Sequence, residues 1–457
     1  MWAVAQERGD PKNRPYGFEA AAYSVQDQIS APMLLEKSLE RTAREVKYLE
    51  VYWTSLLPHG QAFPPQAARY STTRWTSAIQ DLYHKDPLVR VVLLANALTR
   101  TAQRIEDPSL MVQGRRLYGL SLQAVARSLL DKKRQDSGRI LAASGLLTSY
   151  ELLLNDDQRH SWLPAPAWLR HTSGEMAIIL AGGPENFIHG SAHQLFVDYR
   201  LHLIYPYIQS RRHCPLSSLE WTNIPWSIHP KSPKDKLVDI LIEVPGILED
   251  MTILKTLSSQ PQERYLLCQA LEERCWRCDR QLLIWSTSCG NAIVDFVESL
   301  ISVQDLSENS AESAPPSTYL AMAHLGMLYW TTYNLLSQIL SWLRQAAPSK
   351  NKTPPLPPRM DAHLYVHKVA LLIPYFNKPE VGSYLISFIG FPVAVAASFL
   401  AREDSAGTYS EARALLVQAF SGGERGKELQ RFLASWPWLT RSEADTLGMT
   451  GAQATVN

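Results

Sequence analysis

Apolar residues recur at three- and four-residue intervals along most of the chain, the period of a helix with one buried stripe. The pattern starts near Ile29, where Leu34, Leu35, Leu39, Val46, Leu49 and Val51 suit one amphipathic helix, and a loop containing proline and glycine follows at 57–66. Asp86-Pro87 predicts the next helix start, because aspartate accepts from the first free amides and proline tolerates the first turn. Val89, Val92, Leu93, Ala95 and Leu98 continue its buried stripe. Further helices are predicted over 112–130, 137–154, 262–296 and 319–343, the last carrying Leu320, Leu328, Leu335, Leu336 and Leu343 among aromatic residues. No strand-like alternation is sustained and no internal repeat stands out. The chain therefore reads as all-α, a large multi-helix bundle or stack with long surface loops.

Polar stretches divide the pattern into a flexible N-terminal segment at 1–28, a single helical body at 29–445 and a flexible tail at 446–457. Within the body, 304–317 is rich in Ser, Glu and Pro and 346–358 in proline; neither can bury much apolar surface, so both read as loops. Segment 381–401 has no charged residue and passes the length test for a membrane span. Gly390-Phe391-Pro392 interrupts it, and Ser383, Ser387 and Ser398 are spread along it. Two shorter buried helices meeting at a bend are expected there, with no membrane.

A content of 46% hydrophobic and 19% charged residues allows a substantial core, and the formal net charge is only +1. Basic runs are short, as in Lys132-Lys133-Arg134 and Arg211-Arg212. DNA affinity requires several phosphates to be neutralised by clustered Lys and Arg, so direct nucleic-acid binding is not expected and a small-molecule or protein partner is. The five cysteines, Cys214, Cys268, Cys275, Cys278 and Cys289, are an odd number without a secretory pattern at the start, which predicts a reducing compartment, nucleus or cytoplasm. Cys275-Trp-Arg-Cys278 has a metal-ligand spacing, but it lies within a predicted helix and reads as two structural thiols. Nucleotide-binding glycine turns and a Gly-x-Ser-x-Gly elbow are missing from the sequence, so no cofactor is expected.

The densest polar constellation runs from His171 to His202. His171 and Glu175 are four apart, as are His189 and His193, and such pairs project from one helix face, either as ligands and acid-base groups or as a solvated surface. With Asp198, Tyr199, Arg200 and His202 they supply the candidate chemistry: His189, His193, Tyr199 and Arg200 as possible catalytic groups, His171 and Glu175 as ligand contacts. Metal binding is not expected of them. Trp162, Trp168, Trp221, Trp226, Trp276, Trp285, Trp330 and Trp342 serve a helical core or an aromatic pocket. The best pocket candidates are Trp221 and Trp226, on a hairpin-like loop, and Trp330 on its long helix. Together they would wall a cavity for an apolar, oxygenated metabolite.

The order of several short motifs resembles the fungal-specific transcription factor domain. The likeness begins in Asp86-Pro87-Leu88-Val89-Arg90 through Leu98, Tyr118-Gly119-Leu120, Leu141-Ala142-Ala143 and Ser149-Tyr150-Glu151. It continues in Trp168-Leu169-Arg170-His171, Gly182-Gly183-Pro184, Leu219-Glu220-Trp221, Ile224-Pro225-Trp226 and Val244-Pro245-Gly246, and ends in Ile373-Pro374-Tyr375-Phe376 and Phe391-Pro392-Val393. The resemblance implies a helical body for effector response, dimer or partner contacts and transcriptional control in the nucleus. The sequence departs from that family in holding no six-cysteine zinc cluster, which leaves three expectations: a truncated gene product, a regulator acting through a partner, or a body put to another use. The last would be a cofactor-free enzyme of fungal secondary metabolism, a cyclase, isomerase or pericyclase, since a pocket that holds a reactive conformer lowers a unimolecular barrier. Gel-shift titration of the purified chain against duplex DNA at physiological salt should show no nanomolar binding; a nanomolar shift would overturn the charge argument.

Overall fold

In a computed structural model, the Asp86 side chain accepts from the amides of Leu88 (2.8 Å) and Val89 (3.0 Å), and Pro87 takes the first turn, as the sequence predicts. The structure describes residues 39–130, 137–154, 167–257, 261–304, 315–346, 354–403 and 410–420, together with 426, 429, 430, 432 and 433. The expected flexible segment 1–28, the tail 446–457, Trp162, the Lys132-Lys133-Arg134 run and most of the two expected loops lie outside them.

The helices are, in chain order, α1 (Leu39–Leu56), α2 (Arg74–Lys85), α3 (Pro87–Ile105), α4 (Pro108–Leu130), α5 (Ser137–Leu153), α6 (Ala167–Gly182), α7 (Gly190–Ser210) and α8 (Leu219–Asn223). They continue as α9 (Pro233–Leu241), α10 (Val244–Thr256), α11 (Pro261–Ser288), α12 (Asn291–Gln304), α13 (Ser317–Ala346), α14 (Ala362–Phe376), α15 (Leu385–Glu403) and α16 (Ser410–Phe420). No strand occurs among the described residues, and the protein is all-α.

Helix α3 packs on α1, α4 and α5, and α5 on α6. Helix α7 meets α2, α5, α6, α9 and α10. The other half is built around α13, which contacts α11, α12, α14 and α15. Every residue from 323 to 337 is buried, because α13 has a neighbour on every side, and its polar members such as Asn334 and Ser337 are hydrogen-bonded inside.

Three local expectations are corrected. The helix expected over 262–296 is two, because Cys289 and Gly290 both donate to the Trp285 carbonyl (3.1 and 2.8 Å) and close α11, while the Gly290 carbonyl opens α12. The two helices expected to meet at Gly390-Phe391-Pro392 are one: Pro392 lies inside the single helix α15. Proline there removes one ladder bond, and the packing of α15 on α13 and α14 keeps the helix continuous. The chain turns earlier, at Gly382, whose φ is 66° and whose missing Cβ would stand 2.7 Å from the Leu56 carbonyl oxygen. By length and composition Pro379–Arg402 would reach across a membrane, yet 89% of its most apolar window is buried by the helices around it. Finally, Trp221 and Trp226 do not sit on a hairpin-like loop, since α8 runs directly into a 3-10 turn, Ile224–Trp226.

Close packing of α5 on α7 depends on one missing side chain. A Cβ at Gly145 would stand 2.0 Å from the Tyr199 hydroxyl and 2.4 Å from its ring carbon, and Tyr199 is itself buried. Gly145→Ala should therefore destabilise the protein by about 1–3 kcal/mol through overpacking. Gly174→Ala, in α6 with nothing within 4 Å of the new Cβ, should instead stabilise it by roughly 0.5–1 kcal/mol. Urea denaturation of the two variants checks the pair; equal effects would overturn the packing argument.

Candidate functional site

His193, Phe196 and Arg200 are spaced three and four apart on α7, so they share one face, and that face meets Trp226. The Trp226 ring lies 6.3 Å from the His193 ring and 5.7 Å from Phe196, centroid to centroid, and the Arg200 guanidinium carbon stands 4.5 Å above it. Trp221 joins from α8, with its ring 5.6 Å from Phe196 and 5.9 Å from Phe187.

Arg200 is fully buried. Its Nη2 donates to Asp239 on α9, and the other oxygen of Asp239 accepts from Lys231 Nζ at 2.5 Å. Lys231 also stands 5.0 Å over Trp226. Arg200 Nε and Nη1 are buried and have no acceptor among the described residues. Leaving donors of a buried cation unmet is costly, so these two nitrogens mark the place where an acceptor is wanted. Beside them, His193 Nδ1 meets the Phe187 carbonyl at 2.8 Å; a carbonyl only accepts, so the proton is on Nδ1 and Nε2 holds the lone pair. Burial lowers the His193 pKa and keeps the ring neutral. The exposed His229 ring lies 4.7 Å from it.

Asp198, a third to a half turn from Arg200 around α7, faces elsewhere. Its carboxylate accepts from Lys234 Nζ (2.7 Å) and from the Trp75 amide in the first turn of α2 (2.8 Å), with Asp198 and Lys234 both buried. The Trp75 indole donates to the Tyr384 hydroxyl (3.1 Å), which in turn donates to the Thr72 carbonyl. Nearby, His324 on α13 shares a 2.6 Å hydrogen bond between its Nδ1 and the Ser71 hydroxyl, and its Nε2 has no partner among the described residues. Burial, reinforced by the Lys234 charge, pushes the His324 pKa down to about 3.

The other candidates separate. His189 is the exposed, extended N-cap of α7, so it does not form a helical pair with His193. Glu175 is buried rather than on a solvated face, accepting from Thr148 (2.5 Å) and paired with His202 Nε2 (2.5 Å). His171 is half-buried and meets the Tyr118 hydroxyl at 3.2 Å, so it and Glu175 serve different networks. Tyr199 is buried over Gly145, and burial raises its pKa well above the ordinary value. Trp330 is buried on α13 with Lys368 Nζ 5.6 Å over its ring; among the described residues no ring contact joins it to Trp221 or Trp226. Trp168 stacks on Phe432, Trp285 donates to the Pro233 carbonyl (2.8 Å), and Trp276 and Trp342 are half-buried. Cys275 and Cys278 are buried, and burial pushes the Cys278 thiol up to about 12 and Cys275 higher. Among the described residues no group of three His, Cys, Asp or Glu gathers around a possible metal position.

Lys231, Lys234, Asp239 and His324 were not marked by the sequence reading. His324 alone carried a usable signal, an imidazole in the otherwise apolar run Leu320–Leu328. Comparison with protein-family models, with curated proteins and with solved structures gives no match to this chain.

The displaced His324 equilibrium gives stability a pH dependence of known sign. Between its ordinary 6.5 and the folded value of about 3, the unfolded chain binds a proton that the folded chain refuses. The stabilisation is complete above the upper value and is lost as pH falls toward the lower one. By about pH 5 the loss from this group is roughly 2 kcal/mol relative to neutral pH, and His324→Gln should remove that increment. Denaturation midpoints of both proteins across this range check it; parallel pH profiles would contradict a neutral buried imidazole.

Proposed function

We propose that the chain is a helical effector-binding body of the regulatory kind, similar to the fungal-specific transcription factor domain. It takes up an apolar, oxygenated small molecule and acts through a protein partner or a second copy of itself rather than by contacting DNA. The observation that carries this reading is Arg200, a fully buried guanidinium stacked on Trp226 with two nitrogens that meet no protein acceptor. Buried donors are almost always paired, so two that meet no protein acceptor call for one, and a bound ligand can supply it. Phe187, Phe196, Trp221 and Trp226 form the apolar side of that site, which matches the usual division of a small-molecule pocket into aromatic wall and few polar anchors. The near-neutral charge of the whole chain supports action through a partner.

A second reading, a cofactor-free cyclase, isomerase or pericyclase, is favoured by a separate observation. His324 is a neutral imidazole with a free Nε2, set beside Phe388 at 5.2 Å and held by Ser71. An imidazole that stays uncharged can polarise a substrate oxygen by a hydrogen bond without ionising, the role isomerisation asks of a neutral histidine.

Calorimetric titration with a panel of apolar ketones, phenols and carboxylic acids, followed by recovery of the ligand, separates the two. The regulatory reading expects saturable binding, return of the compound unchanged, and a loss of about 1–3 kcal/mol on Trp226→Ala. Conversion of the compound, abolished by His324→Gln, would replace it with the enzyme reading. Absence of binding across the panel would sink both.

A further inference from the structure

We infer that the site formed by Arg200 and Trp226 is built for an organic monoanion, a carboxylate carried on an apolar frame; the inference rests on the effector-binding reading above.

The first argument is charge. Arg200 and Lys231 both stand over Trp226, and both use the same carboxylate, Asp239. Two cations facing one anion leave a single positive charge, and Arg200, which holds part of it, is fully buried. An arginine cannot neutralise itself by releasing a proton, so the surplus must be met by an anion or borne as a desolvation cost. A neutral carbonyl supplies an acceptor but no charge. A phosphate dianion would reverse the imbalance rather than cancel it.

The second argument is the shape of the guanidinium. Its hydrogens form two edges that can each grip both oxygens of a carboxylate: Nε with one Nη2 hydrogen, and Nη1 with the other. Asp239 engages Nη2, while Nε and Nη1 have no protein acceptor. Whichever Nη2 hydrogen Asp239 takes, the opposite edge remains complete. The structure thus keeps one two-hydrogen fork ready, and its flat face is already fixed against an indole.

The third is approach. Between Trp226 and Lys231 the chain crosses the surface with Ser227, Ile228, His229 and Pro230 exposed. Trp226, at one end of this exposed stretch, carries the Arg200 guanidinium over its ring, and Lys231, at the other end, shares Asp239 with it. His193 Nε2, an acceptor in a neutral ring, offers a hydrogen-bond position to a hydroxyl on the same ligand, which suits a hydroxy or phenolic acid.

The test compares decanoate and cinnamate with their methyl esters, titrated calorimetrically into the full chain. The acids should bind on the order of tenfold or more tighter than the esters, and Arg200→Gln should erase the difference. Because that variant removes a buried group and can fail to fold, Asp239→Asn is read beside it by thermal melting. Without its carboxylate the site gains positive charge, so the acids should raise the melting temperature of Asp239→Asn more than that of the wild type. Equal binding of acid and ester, no binding of either acid, or an acid preference that survives Arg200→Gln would overturn the inference. Neutral ketones or phenols that still bind at Trp226 would in that case leave the effector-binding reading standing, whereas a site that takes no compound of either kind would remove both.

Discussion

The buried pair of Asp198 and Lys234 is the constraint around which the rest is arranged. Its two charges lie at 2.7 Å with side-chain exposures of 0% and 1%. Such a pair contributes little net stability, because withdrawing both ions from water costs about as much as their attraction returns. What it contributes is position: one carboxylate joins α7 to the Lys234 side chain at the start of α9 and to the first-turn amide of α2 at Trp75. With that junction set, α7 can turn only one face to Trp226, and Arg200 must be that face's charged member. The indole, the guanidinium and Asp239 are therefore consequences of a junction that touches none of them.

The same logic explains the asymmetry between the partly satisfied imidazole and guanidinium groups. His324 lies in the interior beside a positive charge and stays neutral by giving up its proton, so its burial is tolerable. Arg200 has no such escape and is held by a stacked ring and a single carboxylate. One group is silent chemistry kept in reserve, the other a standing electrostatic demand.

Much of the fold was legible because its signals are local. Asp86-Pro87 caps its own helix, and the apolar period of 319–343 lies within Ser317–Ala346. Errors arose where tertiary packing outweighs local preference: Gly390 and Pro392 read as breakers, yet α15 runs through them without interruption between its neighbours, and the turn at Gly382 is dictated by the end of α1. At the site, the sequence groups His189 with His193 and Tyr199 with Arg200; of these, His193 and Arg200 share the face of α7 that meets Trp226, while His189 caps the helix and Tyr199 packs over Gly145. Lys231 and Asp239 escaped notice because nothing in their own segment indicates that they meet α7. Glu175 was named but misplaced for the reverse reason, since its four-residue spacing from His171 suggests a shared helix face while its actual partners, Thr148 and His202, come from other helices.

The seating of Gly382 on the carbonyl of Leu56 has a consequence for how such a chain is made. These residues are separated by most of the protein, so the end of α1 cannot be covered until the ribosome has released the segment leading into α15. Until then α13 and α14 expose the apolar surfaces that α15 will fill, and loop closure over so long a span is slow. Exposed apolar faces of this kind are what chaperones bind and where aggregation begins. A chain that stops short of α15 therefore leaves α13 and α14 uncovered and the end of α1 without its cap at Gly382.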